Sequence, residues 1–279
     1  MGSISIREYI RWLPDPPSEN TSTLVLTSPG RRFVDIRMLK TAKGGGGGGE
    51  KEETEIEWAF AGTSSSSEET RAETGALVKH SVWRHFVDSR TRDAESVVDE
   101  ADMFPHSEGG GGGGGGGDGD GDDDGGSHAL EKGRMVNPDT GRETDYEEMW
   151  RDVEPRAVPS LSNGSGDDDD GGKIRSLVLE LRDDGAGRRG LVVCLGRYCQ
   201  GVVRDGDAFA LEQWEWKEWK EGGEGGNGGG GGGGWARRRR VGAPALYLPC
   251  RDAIEKVTGL EVGGRVERDG VGWTVVEVS

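Results

Sequence analysis

Glu55-Ile56-Glu57-Trp58-Ala59-Phe60-Ala61-Gly62 changes character at every second residue. Successive side chains of an extended chain point to opposite faces, so Ile56, Trp58 and Phe60 share one face, and Glu55, Glu57, Ala59 and Ala61 the other. This spacing predicts a half-buried antiparallel strand. The same alternation precedes it in Leu24 and Leu26 and, after the turn Ser28-Pro29-Gly30, in Val34, Ile36 and Met38. It returns at 82–87, with Trp83 and Phe86, and more weakly at 96–104.

A second series of strands begins near Lys173, with Leu177, Leu179 and Leu181 alternating, and continues at 190–195, 197–204, 209–219 and 272–278. One or two short helices are expected. Thr144 with Glu147 three residues on forms a capping box, and Tyr146, Met149 and Trp150 share a helical face at i, i+3, i+4 before Pro155 ends the segment. Residues 252–257, closed by Gly259, suggest a short helix or a turn between strands. Many short strands with few helices predict an all-β protein of two tandem antiparallel β-barrel-like domains, 1–142 and 143–279. The two series echo each other weakly: Leu24-Val25-Leu26 followed by Arg31-Arg32 resembles Leu177-Val178-Leu179 followed by Arg188-Arg189.

Glycine-dense patches at 44–49, 109–117 and 222–234 interrupt these strands. Polyglycine has no side chain to bury and loses much backbone entropy on ordering. Disordered, Gly/Asp-rich surface insertions are therefore expected near 43–53, 107–127, 162–172 and 220–234. The formal net charge is −17, but much of it lies in the aspartate runs of those insertions, so the folded part is only moderately acidic. Such a chain repels phosphate backbones, which argues against nucleic acid as a main partner. No apolar run is long enough to span a membrane, and the N-terminal stretch holding Arg7, Glu8 and Arg11 lacks the apolar core of a signal peptide; a soluble intracellular protein without membrane insertion is expected. The three cysteines, Cys194, Cys199 and Cys250, sit in apolar settings and are expected to be reduced thiols packing as small hydrophobes.

No GxSxG, phosphate loop, dinucleotide fingerprint or HExxH occurs, and no catalytic, cofactor-binding or metal-binding residues are assigned. Asp120-Gly121-Asp122-Asp123-Asp124-Gly125 with Glu131 has the spacing of a calcium loop, but polyglycine stands where the entering helix should be, so it is read as an acidic linker. His80 and His85 are an odd number of residues apart on a strand and face opposite ways. The residues most suggestive of a ligand cavity or an internal polar pair are Trp58, Arg197, Gln200, Trp214 and Trp273. The tryptophans serve either as core or as cavity walls. Arg197 and Gln200, polar between apolar strand residues, are expected to satisfy each other across a barrel rather than face a ligand. The run Arg237-Arg238-Arg239-Arg240 fits a basic strand facing water better than an import signal. Ser64, Ser65, Ser66, Ser67 and Ser165, flanked by acids, are candidate phosphorylation sites in accessible loops.

Four segments together resemble the fungal HRI-one family: Glu57-Trp58-Ala59-Phe60-Ala61-Gly62-Thr63, Tyr146-Glu147-Glu148-Met149-Trp150, Leu195-Gly196-Arg197-Tyr198-Cys199-Gln200-Gly201, and Gly272-Trp273-Thr274-Val275-Val276-Glu277. The resemblance implies two tandem domains similar to lipocalin or nitrobindin barrels, in a protein of cytoplasm and nucleus. It also implies association with a casein-kinase-I-type kinase and brings no enzymatic activity. The alternative is a barrel that binds a small hydrophobic or haem-like ligand.

Overall fold

In the computed structural model, which describes residues 1–40, 55–71, 75, 77–106, 127–159, 173–219, 233–256 and 259–279, the alternating segments pair as antiparallel strands. Eight of them close a barrel: β1 (Ser3–Trp12), β2 (Thr21–Thr27), β3 (Arg32–Leu39), β4 (Ile56–Thr70), β5 (Leu77–Asp88), β6 (Val98–His106), β7 (His128–Asn137) and β8 (Arg142–Val153). Each strand pairs with the next, and β8 closes the ring on β1. Seven more form an open sheet, a half-barrel: β9 (Ser176–Asp183), β10 (Arg188–Leu195), β11 (Tyr198–Asp205), β12 (Ala208–Glu218), β13 (Gly233–Gly242), β14 (Arg265–Arg268) and β15 (Val271–Val278), ordered β13-β12-β11-β10-β9-β15-β14. The helix α1 (Cys250–Lys256) lies between β13 and β14. The fold is therefore all-β, with two tandem barrel-like units.

The first barrel carries its apolar set outside. On β3, Val34, Ile36 and Met38 are fully buried and pack with Ala59, Ala61 and Val87 against Val178, Leu191, Val193 and Val202 of the second sheet. Each of the Val, Leu, Ile and Met side chains contributes about 1.5–3 kcal/mol on burial. The intervening Phe33, Asp35 and Arg37 point into the lumen. A strand of this barrel is thus covered on both faces, by the second sheet outside and by lumen groups inside, rather than half-buried against water. The opposite face of the second sheet packs Leu177, Leu179, Val192 and Cys199 around the fully buried Trp273, with Cys250 and Ala253 of α1 covering them.

Several expectations are corrected. Residues 142–153 are strand, not helix: two flanking strands offer β8 a complete backbone ladder, which outweighs a local capping box. Since β8 is the closing strand, the chain leaves the first barrel after Val153 rather than near 142. Cys194 and Cys199 are joined by a disulfide, because the β10–β11 turn sets them directly opposite each other; only Cys250 is a free thiol, and burial pushes it well up. Ser64, Ser65, Ser66 and Ser67 lie within β4 and pair with β5, so they are held in a ladder rather than a loop. The expected insertions fall almost wholly outside the described residues, as does Ser165. One glycine of the resemblance has a clear steric reason. At Gly62 the β4–β5 register shifts, and a Cβ there would run into the Arg84 carbonyl oxygen.

Candidate functional site

Because the aliphatic residues of β1–β4 face the second sheet, the polar and aromatic members of the same alternation are left to line the lumen. The polar ones form a buried charge network at its floor. Arg7 donates from Nη1 to Glu148 Oε1 at 2.6 Å and from Nε to Glu19 at 2.8 Å, and its Nη2 reaches Thr21 at 2.9 Å. Arg37 donates from Nε and Nη2 to Asp35 Oδ2 at 3.1 and 2.9 Å, and from Nη1 to Glu148 Oε1 at 3.3 Å. Burial alone would lower both guanidinium values, but Glu148 beside Arg7, and Asp35 with Glu148 beside Arg37, reverse this and keep both charged. Burial raises Asp35, with Arg37 opposing. Its Oδ1 is buried with no hydrogen-bond partner among the described residues, a condition that costs about 1–3 kcal/mol in a folded protein.

A second acid stands across the floor. Glu131 accepts from the Tyr146 hydroxyl at 2.7 Å and from Trp150 Nε1 at 2.9 Å. Burial and the neighbouring Glu148 push its carboxyl up to about 8. Gly133 makes room for this arrangement, since a Cβ there would strike the Tyr146 ring. Above the floor lie aromatic walls. Phe33, Phe60 and Trp58 pack with His85, whose ring stacks on Phe60 at 4.3 Å, and Arg37 sits 5.2 Å over Trp58. Trp58 Nε1 donates to Asp88 at 3.1 Å. The cavity, open to solvent at its mouth, measures about 470 Å³, with Trp83, Phe104 and Trp150 completing its walls.

Residues 3–277, nearly the whole chain, match the family described as Protein HRI1. The chain belongs to the HRI1 family. The HRI1-family fold also agrees with a crystal structure of an uncharacterized protein from Saccharomyces cerevisiae, at a TM-score of 0.60 and 19% identity, over 100% of this chain and 99% of that one. A search of curated proteins gives no match.

Of the candidates expected in this HRI1-family chain, only Trp58 lines the lumen. Arg197 and Gln200 do not pair with each other. Gln200 donates from Nε2 to the Leu24 and Val34 carbonyls of the first barrel at 3.0 and 2.6 Å, and accepts from Gln213 at 2.9 Å, so it fastens the two units together. Arg197 bonds the Ala157 carbonyl at 3.0 Å and pairs with Glu218 at 2.7 Å. Trp273 is core, and Trp214 lies in a separate open cleft with Arg237, Tyr247 and Asp252. The basic run is the strand β13, where Arg238 and Arg240 pair with Glu215 and Glu212 of β12.

The histidines stay apart: both His85 nitrogens are held by Asp88 and Asp99, while His80 bonds Asp102. Residues 120–126 of the calcium-like pattern lie outside the described residues, and Glu131, its last member, belongs to the lumen network. Among the described residues no group of His, Cys, Asp or Glu is arranged to hold a metal, and no helix is long and apolar enough to cross a membrane. Asp35, Arg37, Glu131 and Glu148 are the site residues that sequence reasoning missed. The signal was present, since charged residues occupy alternate positions between Val34, Ile36 and Met38.

Proposed function

We propose that this chain is a non-enzymatic binding protein whose first barrel holds a small molecule with an apolar body in its lumen. The observation that carries this reading is the 470 Å³ cavity, within the range of about 300–1,000 Å³ common for small-molecule sites, with aromatic walls over an ordered polar floor. A lumen serving stability alone would be better filled by hydrophobic side chains, because buried ion pairs rarely exceed their desolvation cost. Both Glu131 oxygens are already engaged by Tyr146 and Trp150, which favours a fixed recognition surface over acid–base turnover. A haem-like guest fits less well. Among the described residues only His128 lines the cavity as a histidine, and its Nε2 lies 3.3 Å from Glu8.

N-phenyl-1-naphthylamine, a neutral apolar fluorophore, should brighten on titration with the full chain and saturate at one molecule per chain. Ser66→Trp, which places an indole in the lumen, should abolish the signal while leaving the circular dichroism spectrum intact. A wild-type chain that gives no enhancement would sink the reading.

The family resemblance supports a second reading: association, in cytoplasm and nucleus, with a casein-kinase-I-type kinase through the outer surface. Co-elution of the full chain with such a kinase on gel filtration would support it, and separate elution at high concentration would count against it.

A further inference from the structure

Asp35 and Glu148 are both almost fully buried, 3% and 1% exposed, and both line the lumen. Each turns one oxygen to the arginines. Asp35 receives both of its Arg37 bonds on Oδ2, and Glu148 receives Arg7 and Arg37 on Oε1. Asp35 Oδ1 is buried with no hydrogen-bond partner among the described residues, while Glu148 Oε1 is taken by Arg7 and Arg37. One carboxylate oxygen at the cavity floor, Asp35 Oδ1, thus holds acceptor capacity in reserve.

The charge count points the same way. Two guanidinium groups, Arg7 and Arg37, face three carboxylates, Glu19, Asp35 and Glu148, before Glu131 is considered. A buried excess of negative charge is costly until something neutralises it. A second anion would worsen the balance, whereas a cation with N–H donors would correct it and fill the open acceptor. The walls suit such a guest. Aromatic faces attract cations, and those of Trp58 and Phe60 already hold the Arg37 guanidinium at 5.2 and 5.4 Å.

We propose that the lumen takes an organic cation, an amine or amidine on an apolar body, whose N–H groups bond Asp35 Oδ1 beside the Glu148 carboxylate. This rests on the lumen being a ligand site, as argued above.

Three probes of one shape and different charge test it by titration calorimetry on the full chain at neutral pH: 4-phenylbutylamine, 4-phenylbutanol and 4-phenylbutyrate. The amine should bind about tenfold or more tighter than the alcohol or the acid, as a charge-assisted bond to a buried carboxylate implies. Asp35→Asn should bring the amine down to the affinity of the alcohol while leaving the alcohol unchanged. Glu148→Gln is the second variant, and if neither folds, the wild-type series alone decides. Equal or tighter binding of the alcohol or the acid overturns the cationic assignment and leaves the lumen as a ligand site. Failure of all three probes to bind overturns both.

Discussion

Glu131 is a lumen carboxyl that burial and Glu148 push up to about 8. A carboxyl raised on folding binds more protons in the native state than in the unfolded chain. Its contribution to stability is therefore full below the ordinary carboxylate range and is lost as pH rises through about 8. Burial would lower His85, but Asp88 and Asp99 hold it up, so it acts in the same direction from its ordinary value near 6.5 upward. Between about pH 5 and 6.5 the slope belongs to Glu131, at up to about 1.4 kcal/mol per pH unit. The melting midpoint should accordingly fall from about pH 5 to about pH 8.5. Glu131→Gln, which replaces the carboxyl by a neutral amide of nearly the same shape, should flatten that fall; an unchanged slope would show that Glu131 does not titrate there. These charged residues were hard to read in advance. Asp35 and Arg37 alternate with Val34, Ile36 and Met38 as a solvent-facing set would, and nothing local shows that this set faces a barrel lumen. Trp58 was legible because a large aromatic at an alternating position is buried on either reading.

Among the elements, β4 was the most legible and β8 the least. The alternation around Trp58 needs no tertiary knowledge, because its large and small residues sort to opposite faces in any barrel. In β8, Tyr146, Glu148 and Trp150 line the lumen, yet Met149 is buried as well, so the burial follows no clean period of two. Tyr146, Met149 and Trp150 then imitate a helical face, and only the pairing to β1 and β7, distant in sequence, resolves the ambiguity. β13 shows the opposite case: its four arginines were readable as a strand because Trp235 and Val241 flank them, and β12 supplies the matching acids. At the register shift between β4 and β5 the backbone approaches too closely for any side chain at Gly62. Gly62→Ala should therefore cost about 1–3 kcal/mol, the usual range for forcing an extra methyl into a packed site. Urea denaturation measures it, and a loss below a few tenths of a kcal/mol would mean that the strands separate there freely.

The whole molecule depends on one sheet covering the outside of another. The outer faces of β2, β3 and β4 are apolar because the second sheet buries them, and this frees the lumen from supplying the core of its own barrel. Polar clasps fix the orientation: Gln200 to the Leu24 and Val34 carbonyls, Arg204 to the Asp88 and Ser89 carbonyls at 2.9 and 2.7 Å, and Glu277 accepting from Ser28 and the Gly30 amide, both at 2.7 Å. Two barrel-like units could be read from the strand series. Their back-to-back packing could not, since hydrophobic alternation tells which residues share a face and not which face is inside. The central claim, that the polar and aromatic lumen receives a guest while the apolar outer wall is core, is tested most directly by isotope-filtered nuclear Overhauser contacts between labelled full-length protein and bound N-phenyl-1-naphthylamine. The account predicts contacts to Phe33, Phe60 and Trp150 in the lumen; contacts confined to Trp214 and Tyr247 in the open cleft of the second unit would contradict it.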